Sequence, residues 1–85
     1  MAEQGMILEI LSPEKRLFKG NVSRVALPGS MAPFVVLHNH APIISVLSAG
    51  DIVWISEGEE QRMRIDSGFV EVKENCIIVC VELPE

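Results

Sequence analysis

The sequence predicts an all-β domain, a two-sheet antiparallel β-sandwich of about ten short strands. Three observations carry this. No segment of helical length shows the ~3.6-residue apolar period of an amphipathic helix. Apolar residues recur instead at period two or in short unbroken runs. Gly, Pro, Asn and acidic residues fall between those runs at hairpin spacing.

Taken in order, Met6, Leu8 and Ile10 share one face of an opening strand. Ser12-Pro13-Glu14 resembles a helix start, with Ser as N-cap and Pro at the first helical position. Gly20 and β-prone Leu17 and Phe18 limit it to a turn or one short helical turn. Lys15, Arg16 and Lys19 form a small basic cluster there, read as a solvated turn. Val22 to Leu27 makes the next strand, with Val25 and Leu27 on one face and Arg24 and Ala26 on the other.

Phe34 to Leu37 is fully apolar and reads as a strand. Pro28, Pro33 and Pro42 each interrupt ladder pairing, so the Leu27–Ile44 region belongs at a rim or edge. Ile52-Val53-Trp54-Ile55 reads as buried on both faces, with Trp54 in the core. Arg62, Arg64 and Asp66 alternate with Met63 and Ile65, and Val70 and Val72 with Glu71 and Lys73. Ile77 to Val81 closes the set. Cys76 and Cys80 fall in the β-branched apolar run Cys76-Ile77-Ile78-Val79-Cys80-Val81 and read as small buried core residues. Strand rise sets their Cα atoms ~13 Å apart, past the ~7 Å limit for a disulfide, so both are expected as free thiols.

The 85 residues make one domain, 1–85. A domain of this size buries about two-thirds or less of its unfolded surface. A hydrophobic share of 48% is high for such a domain, so part of the apolar surface should be covered by a partner. A net charge of −5 disfavours nucleic acid and anionic lipid, which need clustered Lys and Arg. No apolar run approaches the ~20 residues that span a bilayer, and Met1 to Gly5 lacks a leader signature. The expected place is the cytoplasm or the inner side of a membrane, without direct insertion.

Few residues are laid out for chemistry. His38 and His40 form an H-x-H pair, which in a strand would put both imidazoles on one face, a geometry suited to a metal. Asn39 and Pro42 favour a bend that breaks that face, and no third ligand lies nearby in sequence. This pair carries the alternative reading, a free-standing small β-barrel binding module with a His38/His40 metal or ligand site. No Ser lies in a G-x-S-x-G elbow and no phosphate loop is present, so no catalytic residue and no cofactor are expected. Glu57-Gly58-Glu59-Glu60 reads as a charged hairpin tip. Met31 and Phe34, inside the Pro-flanked stretch, are the candidate exposed contacts.

From about Leu8 to Val81 the chain resembles the N-terminal domain of the epsilon subunit of F-type ATP synthases, counterpart of the mitochondrial delta subunit. The resemblance rests on Leu11-Ser12-Pro13-Glu14, Leu17-Phe18-Lys19-Gly20, Pro28-Gly29, His40-Ala41-Pro42-Ile43-Ile44, Gly50-Asp51-Ile52 and Ser67-Gly68-Phe69-Val70-Glu71-Val72. It implies a ten-stranded β-sandwich and a non-catalytic part of the rotary central stalk. Its partners would be the gamma subunit and the polar loops of the membrane c-ring. Its place would be peripheral, on the cytoplasmic face of the bacterial inner membrane, coupling proton transport to ATP synthesis. Carried over by position, Gly29, Ser30, Met31, Ala32 and Pro33 would face the c-ring, and Ser12, His40 and Ser45 the gamma subunit.

The chain departs from the family pattern in three places. Where many members read Gly-Glu-Leu-Gly after the first turn, this chain reads Ala32-Pro33-Phe34-Val35. An apolar or backbone-mediated ring contact is therefore expected in place of an acidic one. The usual Pro-Gly before His-Ala-Pro is His38-Asn39 here, and Asn tolerates the left-handed backbone that Gly would supply. Many bacterial members continue into a helical hairpin that can block ATP hydrolysis. The sequence stops at Leu83-Pro84-Glu85, so that hairpin and its inhibition are expected to be absent.

Overall fold

Side-chain alternation decides where the core forms. A computed structural model describes residues 5–85. Residues 1–4, most of the stretch read above for a leader signature, lie outside the described residues. Nine strands are present among the described residues: β1 (Met6–Leu11), β2 (Arg16–Val22), β3 (Arg24–Leu27), β4 (Phe34–Val36), β5 (Ile43–Leu47), β6 (Gly50–Ser56), β7 (Glu59–Ile65), β8 (Ser67–Lys73) and β9 (Cys76–Glu82). They form a five-stranded sheet in the order β2-β1-β9-β8-β5 and a four-stranded sheet in the order β4-β3-β6-β7. The all-β, two-sheet expectation is met, with no helix among the described residues.

Met6, Leu8 and Ile10 of β1 are buried, as are Val70 and Val72 of β8 and Ile77, Val79 and Val81 of β9. From the other sheet, Val25, Leu27, Val36, Ile52, Trp54 and Ile65 meet them. No polar or charged residue among the described ones is buried. Trp54 lies in the core as expected, its ring 4.9 Å from that of Phe18 and tilted by 46°. Its indole Nε1 has no hydrogen-bond partner among the described residues.

Several details differ from the sequence reading, each for a physical reason. The sheet is not wholly antiparallel: β1 and β9 pair in parallel, Leu8 opposite Ile77 and Ile10 opposite Val79. A parallel pair needs a long crossover, usually a helix. Here the intervening strands supply it, since the pair joins the first strand to the last. The segment expected as one strand, Val22 to Leu27, is divided by a bend at Ser23. Val22 ends β2 in one sheet, and Arg24 opens β3 in the other. Ser23 N–H donates to the Ile55 carbonyl at that corner.

Gly20 does not end a turn but lies inside β2. The turn is confined to residues 13–15, where the Ser12 hydroxyl accepts from the Glu14 and Lys15 amides. Arg16 and Lys19 are strand residues, and Arg16 pairs with Glu9 at 3.1 Å. Val53 and Ile55 are half-buried, not core, because a two-layer sandwich gives each strand one inner face. By the same parity Cys76 is exposed and Cys80 half-buried, both as free thiols. Ile77, Val79 and Val81 hold the inward positions of β9, so the cysteines face out.

Tight turns set the hairpin registers. Glu57 and Gly58 both have positive φ between paired Ser56 and Glu59, and Glu74 and Asn75 do the same between Lys73 and Cys76. At Gly29 the constraint is space: a Cβ there would lie 2.5 Å from the Ala32 carbonyl oxygen and 2.9 Å from two Phe34 ring carbons. Phe34 is therefore half-buried, packed against the core, and not the exposed anchor expected from its setting.

Two stability predictions follow from this packing. Leu8→Ala, at a fully buried site in the central pair, should cost ~2–5 kcal/mol in denaturant unfolding. A loss below ~1 kcal/mol would contradict the core placement. Gly29→Ala should cost ~1–3 kcal/mol by forcing the 29–34 turn apart, and an unchanged unfolding midpoint would contradict the close approach.

Candidate docking surface

The two outer faces of the sandwich differ in chemistry. On the four-stranded sheet, Arg62 bonds Asp51 at 2.8 Å and Glu60 at 3.3 Å, and Arg64 lies 3.7 Å from Asp51. These exposed pairs lie across β6 and β7 and cover the half-buried Val53 and Ile55. The Arg62 guanidinium donates to the Glu60 and Asp51 carboxylates, and these two bonds, Glu60 first, raise its pKa above the ordinary value. This is a solvated face that contributes little net stability.

The outer face of the five-stranded sheet is mostly apolar over β5, β8 and β9, and carries Glu9, Arg16 and Lys19 over β1 and β2. Cross-strand register aligns its side chains in rows. One row runs Val46, Phe69, Cys80, Leu11 and the next Ile44, Glu71, Ile78, Glu9, Lys19. Ile44 is 77% exposed, Val46 63% and Phe69 52%, with Ile78 and Ile7 also open to solvent. A groove of about 530 Å³ runs along the first row, walled by Leu11, Pro13, Val46, Phe69 and Cys80, with Ser12 and Glu82 as polar lining. Exposed apolar side chains grouped in this way make this face the candidate for contact with a partner.

The turn after β3 is tied to this face. Gly29 bridges to Leu47, Ser30 N–H donates to the Val46 carbonyl, and Ser48 N–H donates to the Pro28 carbonyl. These bonds cover one end of the β5 edge and leave the turn's tip outward. Met31 is 96% exposed, and Ser30, Ala32 and Pro33 are exposed beside it. Met31 is thus exposed, as the sequence reading expected, and Phe34 is not.

The three residues carried over for the gamma subunit do not form one patch. Ser12 follows Leu11 at the end of the sheet that holds Leu47 and Gly68. His40 precedes Ile43 at the opposite end, beside Lys73 and Cys76. Ser45 lies midway along β5 with its hydroxyl 3.3 Å from the Val46 carbonyl. Ser12 thus shares an end with the Gly29–Pro33 turn. His38 and His40 sit in a turn around Asn39, whose φ is 66°, so the strand argument for a shared imidazole face does not apply. His40 Nδ1 lies 2.7 Å from the Ala41 carbonyl, and no group of three ligating side chains suited to a metal occurs among the described residues. Asn75 Oδ1 accepts from the Asn39 amide at 2.7 Å, which pins this corner to the β8–β9 hairpin.

The outer apolar row was not singled out from sequence. Its signal was present: Ile43, Ser45 and Leu47 take one parity, so Ile44 and Val46 must take the other, and both sides of β5 are apolar. Phe69, at the same parity as Glu71, gives the second sign.

Comparison with known proteins agrees with this architecture. The family described as "ATP synthase, Delta/Epsilon chain, beta-sandwich domain" matches residues 5–84. The chain is 50% identical over 64 residues to the ATP synthase epsilon chain of Maricaulis maris, covering 75% of this chain and 48% of that one. It is 37% identical over 83 residues to that of Leptospira interrogans, covering 96% of this chain and 65% of that one. The chain thus spans about half to two-thirds of the length of these curated relatives. Among solved structures, a chain of the Euglena gracilis mitochondrial ATP synthase (OSCP/F1/c-ring) superposes with TM-score 0.86 at 18% identity, covering 95% of this chain and 52% of that one. A chain of the Tetrahymena thermophila mitochondrial ATP synthase central stalk/c-ring superposes with TM-score 0.76 at 19% identity, covering 96% of this chain and 66% of that one. At such identities the superpositions speak to fold alone. Strand order, core and family match together place this chain in the β-sandwich domain family of ATP synthase delta/epsilon chains.

Proposed function

We propose that this chain is a non-catalytic component of a rotary ATP synthase stalk, the sandwich that joins a gamma subunit to the polar loops of a c-ring. The observation that carries this is the exposed apolar outer face of the five-stranded sheet, with Ile44, Val46 and Phe69 open to solvent. An element that transmits torque needs stiffness and two attachment points. Close packing of two inward apolar faces gives stiffness, since interdigitated side chains resist shear. The outer face, with Ser12 in its groove, supplies the attachment for gamma.

The turn Gly29–Pro33 supplies the second attachment, toward the ring. Its tip projects, its base is fixed by two backbone bonds, and its residues carry no charge. Pro33 replaces the acidic contact of many relatives, so this junction works through Met31 and backbone groups. Ser12, Ser45 and His40 lie at one end, the middle and the other end of the sheet, so in this reading gamma extends along the whole length of β5. In this reading the chain is peripheral on the cytoplasmic face of the bacterial inner membrane and couples proton transport to ATP synthesis. Ring rotation driven by proton flow passes through the sandwich into gamma.

Mixed with the gamma subunit of its own organism at micromolar concentration, the chain should form a stable complex that co-elutes on size exclusion. Val46→Asp and Phe69→Asp should each weaken it about tenfold or more, because each sets an unpaired charge in the apolar contact. Both sites are exposed, so the free chain should keep its unfolding midpoint. A chain that stays monomeric in the presence of gamma would contradict the proposal.

A further inference from the structure

Resting on the reading that a stalk partner covers the outer sheet face, we infer that this partner sets a Lys or Arg against Glu71, and that Glu71 selects for it. Glu71 is exposed on β8, flanked in its cross-strand row by Ile44 on one side and Ile78 on the other. Phe69, two residues earlier, shares the face. A surface laid over Ile44, Phe69 and Ile78 cannot avoid Glu71.

The sheet treats its two carboxylates in this row differently. Glu9 is answered by Arg16, Nε to Oε2 at 3.1 Å. No cation among the described residues lies within ion-pair distance of Glu71. Lys73, two residues on along the same strand, shares the face but makes no pair with it. Glu71 therefore brings an uncompensated charge into the centre of an apolar contact.

Covering an unpaired carboxylate offsets much of what the surrounding apolar contacts return. A partner without a cation at that point binds more weakly. A partner with one gains a charge-assisted hydrogen bond in a site that dries as it docks. The same charge discourages nonspecific association of the free chain through its apolar face. The net charge of −5 adds long-range attraction toward a basic docking surface. Apolar rows thus supply contact area, and Glu71 supplies discrimination.

The test is a titration of the full chain against the gamma subunit of its own organism at low and high salt. Wild-type affinity should fall as salt rises. Glu71→Gln should weaken binding at low salt by about tenfold or more and flatten the salt dependence. Glu71→Lys should weaken it about 100-fold, and reversing one gamma Lys or Arg to Glu should recover that loss. Glu71 is exposed, so both variants should fold, with unfolding midpoints as the check. If both variants bind like wild type while Phe69→Asp does not, the Glu71 pairing is wrong and the docking reading stands. If wild type itself fails to bind gamma, the docking reading falls, and this inference with it.

Discussion

The parallel pairing of β1 with β9 is the constraint on which the rest of the molecule depends. It lies at the centre of the five-stranded sheet and joins the first strand to the last. Its register puts Leu8 beside Ile77 and Ile10 beside Val79, all fully buried. Because side chains alternate with period two, that choice commits every other residue of both strands to the outside. Ile7, Ile78 and Cys80 face outward for that reason. A one-residue slip of β9 would bury Cys76, Ile78 and Cys80 and expose Ile77, Val79 and Val81. The slipped arrangement would still be largely apolar. The hairpin turn at Glu74-Asn75, with both residues at positive φ, counts against it by fixing where β9 starts relative to β8.

The outer face follows from the inner one. β5 and β8 carry apolar residues at both parities, so filling the core leaves Ile44, Val46 and Phe69 unsheltered. On the other sheet the outward positions of β7 are Glu60, Arg62 and Arg64, which pair across to Asp51 or within the strand and keep water on that side. The two faces thus differ: one is laced by ion pairs across β6 and β7, and the other leaves Ile44, Val46 and Phe69 exposed. The Gly29–Pro33 turn meets the five-stranded sheet at the end that holds Ser12, where Gly29 bridges to Leu47.

Much of this was legible in the sequence. Period-two alternation at Met6, Leu8, Ile10 and at Val70, Val72 placed core residues correctly, as did the assignment of Trp54 to the interior. Asn39 at φ 66° and the exposed Met31 also match what their residue types implied. The failures share a cause. In fully apolar runs such as Ile52–Ile55 and Cys76–Val81, hydrophobicity carries no parity signal, and the inward face is chosen by neighbours far along the chain. That is why the cysteines read as core residues in the sequence and face outward in the fold. The bend at Ser23 and the parallel pair are likewise set by tertiary pairing, which local composition does not encode. Ser12 and His40, carried over together from the family resemblance, lie at opposite ends of the sheet, a separation that a linear reading does not show.

The two native thiols give the most direct test of the central claim, that the outer face of the five-stranded sheet is the docking surface. Cys80 lies in the apolar row that lines the groove, and Cys76 is exposed on the same face. Maleimide labelling rates of both should be followed with and without the gamma subunit. The account predicts that saturating gamma slows labelling of Cys80 by about tenfold or more, as expected for a buried interface position. Labelling of Cys80 at an unchanged rate within a demonstrated complex would contradict it, because the partner would then be bound elsewhere.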